Sequence, residues 1–81
     1  MTPKVIKVNL IPDYKLELQF STGEVKLFDV KPYIKYPVYK ELTNTWHIIK
    51  PYLCNGTVCL DERGLIDFDP DILYLESVAV A

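Results

Sequence analysis

The fold is decided by the stretch KLELQFSTGEVKLFDV, which occupies positions 15–30 of the 81-residue chain. Leu16, Leu18 and Phe20 alternate with polar residues, which is the period of a strand with one buried face. The Ser-Thr-Gly sequence at 21–23 predicts a turn, because glycine adopts the positive φ that tight turns require. We therefore expect a β-hairpin around this turn.

The register of this hairpin depends on the length of its loop. A three-residue loop places Lys26 opposite Leu18 on the apolar face, whereas a two- or four-residue loop places Leu27 there. Hydrophobic matching favours Leu27, and the Ser-Thr-Gly-Glu sequence favours the four-residue loop over a two-residue one. In that register Phe28 and Val30 lie on the opposite face, so we expect a bulge near the end of the third strand or cover on both faces.

The whole chain, 1–81, predicts a single α+β domain, because no repeat, linker or low-complexity tract divides it. We expect a three-stranded antiparallel meander, a short middle helix, two to three further short strands and a short C-terminal helix. In the first strand, Ile6, Val8 and Leu10 alternate with polar residues. The predicted elements are strands at 5–10, 15–20 and 24–30, a helical turn near 32–36, a helix near 37–43, strands at 46–53, 57–60 and 65–68, a helix from 70 and an apolar tail at 78–81.

Asp69 and Asp71 are predicted to cap the C-terminal helix. Asp69 precedes a proline that suits the first helical position, and Asp71 lies near the positive end of the helix dipole. Together with Asp67 these acids have the spacing that opens a calcium-binding loop. The rest of that motif fails, because Ile72 stands at its glycine position and Val78 at its closing glutamate position. We therefore expect helix caps here and no metal site.

Cys54, Cys59 and His47 are the soft metal ligands of the chain. Structural zinc sites use four such ligands in closely spaced pairs, so we expect no metal and no cofactor. The absence of a signal peptide predicts a cytoplasmic protein with reduced thiols. If residues 55–56 form a tight turn, the cysteines are diagonal neighbours about 7–8 Å apart, at the limit of ~7 Å for a disulfide. Nothing in the spacing of His47 predicts a catalytic triad, so no catalytic residues are assigned.

The charge of the chain argues against a dedicated nucleic-acid binder. The net charge is −2 and the pI is about 5.2, whereas phosphate contacts require a basic surface. Residues 1–50 carry a net charge of +3 and residues 51–81 a net charge of −5, an asymmetry that can steer a partner or a second copy. No apolar run approaches the ~20 residues that span a membrane, so no membrane partner is expected.

Aromatic residues mark the predicted interaction surface. Tyr33, Tyr36 and Tyr39 cluster beside Lys35 and two prolines. Aromatic side chains among lysines can anchor a protein partner or stack on bases. They can equally cover the sheet while their hydroxyls reach water. These four residues and Trp46 are the predicted partner-binding residues.

Several segments follow one another in a familiar order and spacing, from FSTGE at 20–24 to GLIDFDPDILY at 64–74. They resemble the small bacterial domain-of-unknown-function family 2442, and the resemblance extends over about residues 5–76. The chain differs from the family at 59–60, where members often carry a tryptophan and this chain has Cys-Leu. The resemblance implies a compact α+β domain without established catalytic residues. Some relatives are encoded beside a second small protein, as toxin–antitoxin pairs are, which implies a partner-binding role. The segments that resemble the family are FSTGE at 20–24, FD at 28–29, PVY with Leu42, Trp46, GTV at 56–58 and GLIDFDPDILY at 64–74.

We therefore expect a non-enzymatic interaction module. It would bind a small protein partner, or itself as a homodimer, through a strand edge or through the surface around Tyr33 and Tyr39. The second hypothesis is a nucleic-acid-binding accessory domain that uses Lys4, Lys7, Lys15, Lys26, Lys31, Lys35 and Lys40. The third is a small enzyme centred on His47.

Overall fold

The computed structural model describes residues 2–40, 42, 46, 49–54, 57–60 and 67–80. Within these residues the chain forms an antiparallel sheet of order β1-β2-β3-β6, a separate β4-β5 hairpin and three short helices. The predicted α+β class and the three-stranded meander are confirmed. The elements are β1 Val5–Ile11, β2 Lys15–Phe20, β3 Val25–Asp29, α1 Lys31–Ile34, α2 Pro37–Lys40, β4 Tyr52–Cys54, β5 Thr57–Cys59, α3 Pro70–Glu76 and β6 Val78–Ala79.

The hairpin between β2 and β3 is closed by a three-residue loop, so the predicted four-residue loop is wrong. The amide of Phe20 donates to the carbonyl of Glu24, and the amide of Gly23 donates to the carbonyl of Phe20, both at 2.9 Å. Gly23 has a φ of +94°. A turn followed by a glycine with positive φ is the usual geometry of a three-residue hairpin loop.

This loop reverses the predicted faces of β3. Leu18 pairs with Lys26, and Leu16 pairs with Phe28. Phe28 and Val30 are therefore buried on the core face, and the bulge that the other register required is unnecessary. The observed register brings the larger side chain of Phe28 into the core at the expense of Leu27.

A bulge in β1 changes which of its residues face the core. Val5 pairs with Phe20 and Lys7 with Gln19, so Ile6 is the extra residue. Val5 is buried, whereas 51 % of Ile6 is exposed. The prediction that Ile6 faces the core is wrong, because a bulge shifts the alternation of side chains by one residue.

The middle of the chain contains less strand than the apolar run at 46–53 predicts. The amide of Ile49 donates to the carbonyl of Trp46 at 3.3 Å, and among the described residues of this run strand structure begins at Tyr52. Proline at 51 cannot donate to a strand ladder, which limits the strand to the residues that follow it. The predicted helical turn and short helix correspond to α1 and α2.

After residues 61–66, the first described residue is Asp67, which forms an isolated bridge with Cys59. The predicted turn at 61–64 and the residues 65–66 lie outside the described residues, as does the predicted turn at 55–56. The pairing of Cys54 with Thr57 across that second turn is confirmed.

One hydrophobic core lies between the sheet, the hairpin and α3. It contains the inward side chains of β2 together with residues from the second half of the chain. No helix in the described ranges is long and apolar enough to cross a membrane. The core residues are Val5, Leu16, Leu18, Phe20, Phe28, Val30, Leu42, Trp46, Val58, Leu60, Phe68 and Leu73.

Candidate interaction surface

The last described segment of the chain adds a fourth strand to the meander. Ala79 pairs with Lys26 and Val78 with Leu27, both antiparallel. The sequence pattern predicts only an apolar tail here. The signal that could have identified a strand is Val-Ala-Val at 78–80, since β-branched residues favour strands.

The outer face of the sheet carries a strip of apolar side chains beside β6. Val25 and Leu27 of β3 lie on this face and are half-buried. Val78 of β6 pairs with Leu27, and Val80, which follows β6, is hydrogen-bonded to Val25. These valines are 71 % and 49 % exposed. We call these four residues the apolar strip. Exposed β-branched side chains that adjoin one another are typical of a contact surface.

The outer edge of β6 has backbone groups that point away from the sheet. The amide of Val80 donates to the carbonyl of Val25 at 2.9 Å. Along an antiparallel strand, hydrogen-bonding groups alternate between the two sides. The N–H and C=O of Ala79 therefore face away from β3. In the part of the chain that the structure describes, β3 is the only strand that pairs with β6.

The sheet holds α3, and with it β6, through a polar cluster around Tyr74. The Lys26 ammonium donates to the carbonyl of Tyr74 at 2.8 Å and lies 3.9 Å from the centroid of the Tyr74 ring. The Tyr74 hydroxyl donates to the Glu24 carboxylate at 2.8 Å. This hydrogen bond lowers the pKa of Glu24 and raises the pKa of Tyr74. The cluster therefore fixes the helix end from which β6 begins.

Two of the predicted partner-binding tyrosines form part of the protein's own packing. Tyr33 and Tyr39 contact the ring of Phe68 with centroid distances of 5.7 and 5.3 Å. Their hydroxyls donate to the Glu76 carboxylate and to the carbonyl of Asp67 respectively. Both tyrosines therefore cover the core, which agrees with the interpretation that they cover the sheet. That interpretation places their hydroxyls in water, whereas here the hydroxyls donate to protein groups.

The other predicted partner-binding residues divide between surface and core. Half of Tyr36 is exposed, and the Lys35 ammonium lies 5.5 Å from the centroid of its ring. Trp46 is buried and donates from Nε1 to the carbonyl of Ile11 at 3.0 Å. The five residues thus do not form one continuous exposed surface, and their role in partner binding stays a prediction.

The lysines of the nucleic-acid hypothesis that belong to the sheet are divided between its two faces. Lys26 is directed along the core face to Tyr74. Lys7 of β1 and Lys15 of β2 lie on the outer face, as does Glu17 of β2. Binding to a nucleic acid stays an untested alternative.

Cys54 and Cys59 are joined by a disulfide across the β4-β5 hairpin. Their Cα atoms are 6.0 Å apart, closer than the diagonal distance that the sequence analysis predicts. The twist of a two-stranded ribbon brings one diagonal pair closer together. The expectation of free thiols is therefore wrong for this structure.

The acidic residues near α3 act as the sequence analysis predicts. The Asp69 carboxylate accepts from the amide of Asp71 at 2.8 Å and caps the helix. Asp71 lies in the first turn and accepts a hydrogen bond from Thr2. Among the described residues no group of three potential metal ligands is found. His47, the centre of the enzyme hypothesis, lies outside the described residues.

Comparison with known proteins gives a family but no activity. The model of the family described as "Protein of unknown function (DUF2442)" matches residues 5–79, and the chain belongs to this family. The predicted family membership is thereby confirmed. Neither the curated proteins nor the solved structures contain a match to this chain.

Proposed function

We propose that this protein is a non-catalytic interaction module that binds a second copy of itself through the open edge of β6 and the apolar strip. The observation that carries the proposal is the exposure of Val78 and Val80 on a strand whose outer edge is unpaired among the described residues. An exposed strand edge is a template for pairing with another chain.

The edge is complementary to itself in one antiparallel register. The outward groups of Ala79 on each copy can bond to those of Ala79 on the other. This register places Val78 of one copy opposite Val80 of the other on the outer face. The two apolar strips then become continuous, so hydrogen bonding and apolar burial favour the same arrangement.

The charges around β6 are compatible with two copies meeting. Residues 77–80 carry no charge, whereas a strand edge that must remain free is usually protected by charged residues or proline. The acidic residue that precedes this segment in the sequence, Glu76, accepts a hydrogen bond from Tyr33 of the same chain. Two β6 edges can therefore approach without placing like charges opposite each other.

The proposal is tested by the mass of the protein in solution. We expect sedimentation equilibrium to give a dimer, and Val78→Lys to give a monomer with an unchanged circular dichroism spectrum, since a lysine at the edge blocks strand pairing. The matched control is Ile6→Lys, which changes an exposed residue of β1 and should leave the dimer intact.

Two results would overturn the proposed self-association. One is a wild-type protein that stays monomeric at millimolar concentration. The other is a dimer that Val78→Lys does not weaken. A wild-type monomer that instead binds a different small protein, and loses that binding on Val78→Lys, would assign the same edge to another occupant.

A further inference from the structure

The Cys54–Cys59 disulfide connects an exposed strand to a buried one. Every residue of β5 is buried. In β4, Cys54 is half-buried, whereas Tyr52 and Leu53 are exposed. The sulfur of Cys54 is therefore the accessible end of the disulfide, and the sulfur of Cys59 is the protected end.

The two strands differ in how firmly the rest of the protein holds them. Thr57 of β5 donates from its hydroxyl to the carbonyl of Phe68, Val58 is fully buried, and Cys59 bridges Asp67. β4 lies against β1 and pairs with β5. Because β5 has contacts to the core that the disulfide does not supply, loss of the disulfide should loosen β4 more than β5.

The reduced cysteines are compatible with the rest of the fold. A free cysteine packs as a small hydrophobic residue, so a reduced Cys59 leaves no strong polar group unsatisfied in the core. The two cysteines are five positions apart in the chain, and the hairpin brings them together when it closes, so the disulfide can form again after β4 has loosened. A disulfide within a ring of a few residues also constrains the unfolded chain less than one that closes a long loop.

We infer that Cys54 and Cys59 form a reversible thiol–disulfide couple that controls whether β4 stays paired with β5, while the rest of the fold is retained. The proposed co-reactant is a small disulfide such as oxidised glutathione. The Cys54 thiolate attacks it, forms a mixed disulfide and releases one glutathione thiolate. The Cys59 thiolate then attacks the Cys54 sulfur, which forms the protein disulfide and releases the second glutathione; two protein thiols are oxidised and one glutathione disulfide is reduced.

Hydrogen exchange of the oxidised and reduced protein tests the inference. We expect reduction under nitrogen to accelerate amide exchange in β4 by about tenfold or more, which corresponds to ~1.4 kcal/mol of local opening, and to change exchange in β2 by less than twofold. The double variant Cys54→Ala/Cys59→Ala should exchange like the reduced protein and should not respond to reductant. Equal exchange in β4 before and after reduction would overturn the inference.

Titration with glutathione tests the reversibility separately. Samples equilibrated at a series of ratios of reduced to oxidised glutathione are alkylated and weighed by mass spectrometry. We expect the protein to pass from two free thiols to none within this series, without denaturant. A disulfide that glutathione neither forms nor breaks in the folded protein would contradict the inference. Neither experiment depends on β6, which lies at the other edge of the sheet from β1.

Discussion

Lys26 places a cation on the same side of the sheet as Leu18 and Phe28. Its aliphatic stem can lie along apolar surface while its ammonium reaches a carbonyl at the end of α3. That carbonyl belongs to the last turn, where a helix favours positive charge. The ring of Tyr74 adds a cation–π contact. Hydrophobic matching alone disfavours a lysine at this position of the core face. The contacts with α3, which follows much later in the chain, compensate for it.

Replacement of Lys26 by methionine tests this account of the residue. Lys26→Met keeps the unbranched stem but removes the hydrogen bond and the cation–π contact, so we expect the free energy of unfolding to fall by about 1–2 kcal/mol. Urea denaturation measures the change. Lys7→Met, on the exposed outer face, is the matched control and should change stability by less than ~0.5 kcal/mol. A Lys26→Met variant as stable as the wild type would contradict the account.

The error in the predicted hairpin register originates at this residue. The local pattern could not show that Lys26 has a partner, because Tyr74 lies 48 positions away in the sequence. Gly23 did indicate a turn with positive φ, and this part of the prediction is confirmed. A glycine at position 23 is compatible with more than one loop length. The length of the loop is therefore set by contacts of β3 with residues outside the hairpin.

Among the secondary-structure elements, α1 and α3 are connected by a hydrogen bond from the Tyr33 hydroxyl to the Glu76 carboxylate. α1 is a single turn of four residues, too short to be stable alone in water. Burial, followed by the hydrogen bond and the negative charge of Glu76, raises the pKa of Tyr33 to about 12. The neutral phenol is therefore the form that the folded protein stabilises.

This shift predicts a loss of stability in alkaline solution. Above pH 10.0, the usual pKa of tyrosine, the unfolded chain releases the Tyr33 proton while the folded chain still holds it. The free energy of unfolding should therefore fall as the pH rises from about 10 to about 12. We expect Tyr33→Phe to reduce this slope relative to the wild type; Tyr39 and Tyr74, whose pKa values are also raised, should retain part of it.

The measurement is urea denaturation at several pH values, together with tyrosinate absorbance near 295 nm. The wild-type titration should contain a component near pH 12 that Tyr33→Phe lacks. Parallel stability curves for the two proteins above pH 10 would show that the link between α1 and α3 does not depend on this phenol.

Elements whose signal is local were predicted well, and elements that depend on a neighbour were not. The alternation in β2 and the cap at Asp69 each lie within a few residues, and both are confirmed. β6 has only two residues and becomes a strand because β3 offers an unpaired edge. The bulge at Ile6 likewise arises from pairing with β2 and has no glycine or proline to mark it.

Across the whole molecule, the sheet and the β4-β5 hairpin share one core. Leu16 and Phe20 from the sheet belong to the same buried cluster as Val58 from the hairpin and Leu73 from α3. A chain of this size typically has a free energy of unfolding of only about 4–12 kcal/mol. The domain should therefore unfold in one cooperative step.

Two probes of unfolding test this cooperativity. Trp46 is the only tryptophan, so its fluorescence reports on the packing beside Tyr14, whereas far-ultraviolet circular dichroism reports on all helices and strands. We expect the two urea transitions to coincide. Phe68→Ala removes a buried ring, so it should lower the free energy of unfolding by about 3–5 kcal/mol. Both transitions should move to lower urea concentration together. A fluorescence transition separated from the dichroism transition would show two independently folding parts.

The sequence predicts the general type of the proposed interaction surface but not its position. A small sheet with uncovered edges was expected, and the structure places such an edge at β6 among the described residues. The sequence favours the tyrosines as contact residues, because aromatic residues are common at interfaces. Burial of Trp46 and the contacts of Tyr33 depend on residues distant in sequence, which no local pattern contains.

The order of the strands also has a consequence for the newly made chain. Leu27 pairs with Val78, a residue about fifty positions later. Ribosomes add ~5–20 residues per second, whereas hairpins form in ~1–10 μs. The first three strands can therefore fold while one edge of β3 stays unpaired for roughly 3–10 s, until β6 has been synthesised. During each round of synthesis the edge of β3 is open to any other nascent strand or to a chaperone.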